Sequence, residues 1–264
     1  MNIFKRELRA NLRSLLIWGG VSIALIVLAI SKFSAYEGNP EMIEILDSMP
    51  APLLEAFQMN TFNLTTITGF YGVMFIYFSL IATISAAMWG SDVISKEERD
   101  KTVEFTLTLP ITRQKLITGK ILAAMVNCIL LLLIIWGASL VASSRYEPGS
   151  EFYNFLALSM VALFIIQMVF LAVGFFLGCS MKNYKRAGAV AISILLGTYF
   201  LSIISGLNEN LEFLKFFSPF TYFDPAKLLY ESTIDVTYVL LSLAIIAILT
   251  VGGYYTYARR DLYI

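Results

Sequence analysis

Six uncharged apolar runs divide the chain: Ser14 to Ser31, Gly69 to Gly90, Ile121 to Ser143, Asn154 to Met181, Ala187 to Asn208 and Val236 to Ala258. Each holds 18 to 28 residues with no Asp, Glu, Lys or Arg, and a helix needs about 20 apolar residues to cross about 30 Å of hydrocarbon. Runs this long and clean do not suit the buried helices of a soluble core. The pattern predicts an all-α integral membrane protein: one polytopic domain, residues 1–264, with six transmembrane helices. The 28-residue fourth run predicts a tilted helix or one that overhangs the hydrocarbon.

The segments between the runs carry the polar information. Fifteen of the 19 Lys and Arg lie in the N-terminal segment, the second and fourth connections and the C-terminus, whereas Lys32, Arg145, Lys215 and Lys227 share the other side with 12 of the 19 acidic residues. Basic residues are retained in the cytoplasm, so both termini are expected there. The first run is expected to stay as a span, because Phe33 occupies the outer small position that a cleavage site before Ala35 would need. In residues 2–13, Phe4, Leu8, Leu12 and Leu15 recur beside Lys5, Arg6, Arg9 and Arg13. They read either as an amphipathic N-terminal helix on the cytoplasmic headgroups or as a simple basic anchor.

Two outer segments are expected to pack on the membrane surface or on the spans. The first holds helix-like pieces from Pro40 to Met49 and from Pro52 to Met59, followed by the triplet Asn63, Leu64, Thr65, a chance match to a glycosylation acceptor close to the span. The second crowds Phe213, Phe216, Phe217, Phe220, Tyr222, Phe223 and Tyr230 into one connection, in which Pro219 ends one short helix and Asp224 with Pro225 caps another. Its residues Phe217, Phe220, Phe223 and Asp224 are candidates for an outer gate over a path; the alternative is an aromatic belt that holds the sixth span.

Composition agrees with the pattern. Hydrophobic residues make up 58% of the chain and charged residues 14%, against roughly 45–50% and about 25% in soluble domains. A formal net charge of zero gives no basic excess for nucleic acid. The absence of His removes His-based triads and His zinc sites. Cys128 and Cys179 sit inside apolar runs and read as small hydrophobes, so no metal site and no catalytic residue is expected.

The spans lack the ionisable groups that proton- or sodium-driven transporters use. Asn127 and Gln167 are their strongest polar side chains, read as joining helices by hydrogen bonds. Gly174 and Gly178 form a small-xxx-small pair and, with Ala187 and Gly188, point to close packing in a dimer. No segment matches G-x-x-x-x-G-K-[ST]: Gln114 stands where the first Gly before Gly119 and Lys120 should be, and Ile121 follows. A nucleotide site therefore belongs on a separate subunit, and no cofactor is expected on this chain.

The most informative stretch is the second connection, SDVISKEERDKTVEFTLTLPITRQKLITGK. Ser95 and Glu98 have capping-box spacing, which predicts a short helix starting at Ser95. Val103, Phe105, Leu107 and Leu109 then set an apolar edge among Glu97, Glu98, Asp100 and Glu104. An apolar edge rimmed by charge reads as a docking surface; a solvated hinge is the alternative. Pro110 ends the segment and Thr112 caps the helix that leads into the third span.

Glu97, Glu98, Thr102, Glu104, Leu107, Pro110, Thr112, Arg113 and Lys120 fall on the cytosolic pattern of a known family. The chain resembles the membrane (permease) subunits of type-2 ATP-binding-cassette transporters, mostly bacterial exporters, with Lys101 where Gly is usual. The opening FKRELRANLRSLLIW and the outer SPFTYFDP look like the family's N-terminal helix and its segment before the last span. The resemblance implies that the segment between spans two and three is a coupling helix seated on an ATP-binding-cassette ATPase subunit that holds the ATP. Its docking residues would be Glu97, Glu98, Thr102, Glu104, Phe105, Leu107, Leu109, Pro110 and Arg113. It also implies a second permease, as a copy or a sister chain, a bacterial plasma membrane and contact with membrane lipid. The rival classes are a membrane scaffold or sensor that docks a cytosolic partner, and a membrane-embedded enzyme, for which no ionisable pair is evident.

Overall fold

The computed structural model describes residues 3–39, 48–50, 54, 62–99, 112–207 and 209–259. These residues are overwhelmingly helical and contain no strand. A short helix α1, Ile3–Ala10, leads through Asn11 into α2, Leu12–Lys32. Then come α3, Ile67–Arg99; α4, Arg113–Ser143; α5, Ser150–Ser180; and α6, Tyr184–Leu207. A 3-10 stretch, Glu209–Phe217, leads to the short helices α7, Pro219–Tyr222, and α8, Pro225–Tyr230, before α9, Val236–Ala258.

Six of these helices are long and apolar enough to cross a membrane, one for each run in the sequence. Several overrun the uncharged runs, because hydropathy marks hydrocarbon depth whereas a helix continues until its hydrogen-bonding pattern is broken. Thus α3 continues nine residues past Gly90, and α4 starts eight residues before Ile121. The stops and starts have local causes. Thr112 caps α4, its Oγ1 accepting from Lys115 N at 3.3 Å, and Asp235 caps α9 through Thr237 N at 2.8 Å. Asp224 caps α8 through Ala226 N at 2.9 Å, with Pro225 at the first helical position.

One expected boundary is wrong. Ser95 does not start a helix: α3 runs through it to Arg99, and Ser95 is buried with no partner for its hydroxyl among the described residues. Nothing between Gly90 and Ser95 breaks the backbone ladder, and Val93 and Ile94 are buried against neighbouring helices. Tertiary packing overrides the capping-box spacing there.

The core is the parallel pair α3 and α5, with about two-thirds of each spanning window buried, against 17% for α6 and 11% for α9. α2 and α4 pack together beside α3; α6 lies against both core helices, and α9 lies along α5. Lipid tails give apolar helices no reason to associate, so packing must come from close backbone approach. Glycine supplies it. A Cβ on Gly174 would overlap the carbonyl oxygen of Ala87 and lie 2.9 Å from Ser91 N; one on Gly178 would lie 2.6 Å from Ser91 O; one on Gly90 would overlap the carbonyl oxygen of Leu171.

Gly174 and Gly178 are therefore spent inside one chain, on α3. Gly188 faces Ser91 Oγ, and Ala187 is buried. The small residues that pointed to a dimer are accounted for by intramolecular packing. Gln167 meets the expectation of joining helices, its Nε2 donating to Ala82 O at 3.5 Å. Asn127 does not: it is fully buried and neither amide atom has a partner among the described residues.

Candidate functional site: a buried ion-pair junction

The most highly charged buried site lies where α3 ends and α4 begins, on either side of residues 100–111. Lys120 is 1% exposed, and its ammonium donates to a Glu97 carboxylate oxygen at 2.7 Å and to the Val93 carbonyl at 2.8 Å. Arg6 of α1 reaches the same Glu97 oxygen at 3.6 Å. The preceding residue, Lys96, donates to Asn11 Oδ1 at 3.0 Å and contacts Glu7 Oε1 at 3.5 Å. Trp89 Nε1 donates to Ser14 Oγ at 2.9 Å.

Helix register explains the cluster. Lys120 lies on the buried face of α4 with Leu116, Ile117, Ala123 and Ala124, at the three- and four-residue spacing that shares a face. It has no route to water, so it requires a buried carboxylate. Glu97 provides one from α3, four residues after Val93, whose carbonyl takes a second ammonium hydrogen. An ion pair removed from water is costly unless the geometry is good and further donors and acceptors are satisfied, and both conditions hold here. On α1 the most buried side chain is Glu7 rather than an apolar one, while Ile3 and Phe4 cover Gly119 of α4. The N-terminal helix is thus tied to α3 by charge and packs on α4 through Ile3 and Phe4.

The residues expected to dock a partner divide in two. Glu97 faces inward, in the junction. Arg113 sits exposed in the first turn of α4. Thr102, Glu104, Phe105, Leu107, Leu109, Pro110 and the side chain of Glu98 lie outside the described residues. Lys120, which falls on the family pattern, turns out to be the centre of the junction; a lone charge on an otherwise apolar helix face was the signal for it in the sequence.

At the opposite end, the gate candidates take separate places. Phe220 wedges between α5 and α6, with ring centroids 5.4 Å from Phe170 and 5.6 Å from Tyr199. Phe223 is buried, Asp224 caps α8, and Phe217 is exposed. Tyr222 stacks on Tyr238 at 5.0 Å and donates to the Phe216 carbonyl. Burial, and then the neighbouring Tyr238 phenol, push the Tyr222 phenol above its ordinary value, so it stays a neutral donor. α8 buries Leu228 and Leu229 against α3 and α5. The segment is fastened to four spans, α3, α5, α6 and α9.

A family model described as ABC-2 family transporter protein matches residues 1–262. The chain belongs to that family. It is a multi-pass membrane permease, with six apolar helices and the charged junction next to the segment on which the family pattern falls. Comparison with curated proteins gives no match.

Proposed function

We propose that this permease is the membrane subunit of an ATP-driven exporter, with the junction end in the cytoplasm, ATP on a separate ATPase subunit, and a second permease completing the path. The observation that carries the reading is the junction itself. Residues 100–111 join two helices that Glu97 and Lys120 lock together and that Arg6 ties to α1. A force applied to that segment reaches α3, α4 and α1 as one body. Coupling between distant sites needs an element whose position both sites bias, and α3, half of the bundle's core pair, extends directly into this one. The basic excess at the same end supports its cytoplasmic placement.

Single cysteines, introduced with Cys128 and Cys179 replaced by Ala, test orientation and docking together. Ser150→Cys and Ser232→Cys react with an impermeant thiol reagent in intact cells, whereas Asn183→Cys and Thr108→Cys react only after permeabilisation. Adding the ATPase subunit then protects Thr108→Cys and leaves Asn183→Cys reactive. Labelling of Asn183→Cys or Thr108→Cys in intact cells contradicts the orientation, and labelling of Thr108→Cys unchanged by the ATPase contradicts docking.

A further inference from the structure

At the end opposite the junction, α6, the 3-10 stretch, α7, α8 and the start of α9 enclose a cavity of about 480 Å³, within the roughly 300–1,000 Å³ typical of small-molecule sites. Its lining holds charges of both signs, Lys215 and Lys227 with Asp224, Glu231 and Asp235. Lys227 and Glu231 stand four residues apart, the spacing at which opposite charges pair along a helix, yet no ion pair joins them. Asp224 and Asp235 each give one oxygen, Oδ1, to a helix cap, so the second oxygen of each carboxylate is uncommitted to that cap. On the 3-10 stretch that lines the cavity, Phe213, Phe216 and Phe217 are 57–64% exposed, a surface suited to acyl chains near a membrane interface.

A ligand that satisfies all of this has a headgroup with an anion and a cation, and an apolar tail. We propose that the cavity binds the headgroup of a zwitterionic phospholipid bearing a primary ammonium, of the phosphatidylethanolamine type. The lysines face its phosphate, the carboxylates accept from its ammonium, and its chains lie along the exposed aromatic rings. Three carboxylates against two lysines disfavour an anionic headgroup. A quaternary choline has no N–H to donate to the carboxylates. The inference holds for either direction of transport.

The test uses the purified full chain in nanodiscs of phosphatidylethanolamine, phosphatidylcholine and phosphatidylglycerol in equal amounts, with retained lipid read by native mass spectrometry. The wild type retains phosphatidylethanolamine about tenfold over each of the other two, equivalent to about 1.4 kcal/mol. Lys227→Gln, on an exposed position of α8, and Glu231→Gln, at the exposed residue that follows α8, each bring that preference toward parity. Glu231→Gln with Asp235→Asn, which keeps a competent cap, shifts retention toward phosphatidylglycerol. Equal retention of the three lipids by the wild type, or an unchanged preference in all three variants, overturns the proposal. Displacement of the lipid by micromolar soluble phosphoethanolamine would assign the cavity to a soluble zwitterion and also overturn it; no competition at millimolar concentration supports the lipid.

Discussion

Gly174→Val is expected to remove folded protein from the membrane. The new side chain would overlap the Ala87 carbonyl and crowd Ser91 N, and backbone cannot swing aside as the end of a flexible side chain can. α3 and α5 would have to separate along the most extensive contact in the molecule, and these two helices hold the rest of the bundle. A core clash that cannot relax belongs among the few substitutions costing more than about 4–5 kcal/mol. Gly90→Val is expected to act alike, since its Cβ would overlap the Leu171 carbonyl. Gly197→Ala, with nothing within 4 Å of its Cβ position, is the control; the gain of up to about 1 kcal/mol in helix propensity leaves it neutral or slightly stabilised. Yield of monodisperse protein in mild detergent checks this, and Gly174→Val behaving like Gly197→Ala would refute the packing account.

Lys120→Met is expected to cost about 3–5 kcal/mol, because it removes the 2.7 Å ammonium partner from the buried Glu97 carboxylate. Adding Glu97→Leu should recover much of that loss. Both buried charges are then gone, and Arg6, 37% exposed, returns to water. Thermal unfolding of the four proteins in the cycle gives the coupling between the two sites. Additive losses would mean that the pair contributes nothing beyond its separate side chains. The double variant also separates stability from function: with the bundle restored and the link between α3 and α4 still missing, ATP turnover should remain uncoupled from transport.

The spans were legible in the sequence because a bilayer imposes a coarse, long-range requirement, some 20 apolar residues, that no neighbouring segment can alter. Caps carried by one side chain and one backbone amide were legible for the same reason of locality, as at Thr112 and Asp224. Ser95 had the same local signature and failed, since helix packing on both of its sides kept α3 continuous. The junction was hidden because Glu97 and Lys120 are 23 positions apart on different helices, and each alone reads as one more charge at a membrane boundary. Gly174 and Gly178 were legible as a packing face but not as to partner: spacing predicts close approach and is silent on whether the approaching helix belongs to the same chain.

In the proposed function a separate ATPase acts on this permease through the segment between α3 and α4. Phe105→Ala with Leu107→Ala tests it while leaving Glu97 and Lys120 intact, so the junction itself is not perturbed. If these side chains sit in a groove of the ATPase, each truncation costs about 1–3 kcal/mol of association, and the pair together lowers affinity by about tenfold or more. The measurement is ATPase recovered with the affinity-purified permease, together with its permease-dependent ATP turnover, at equal expression and equal melting temperature. The account predicts that both fall together in the double variant; normal recovery and normal turnover would contradict it.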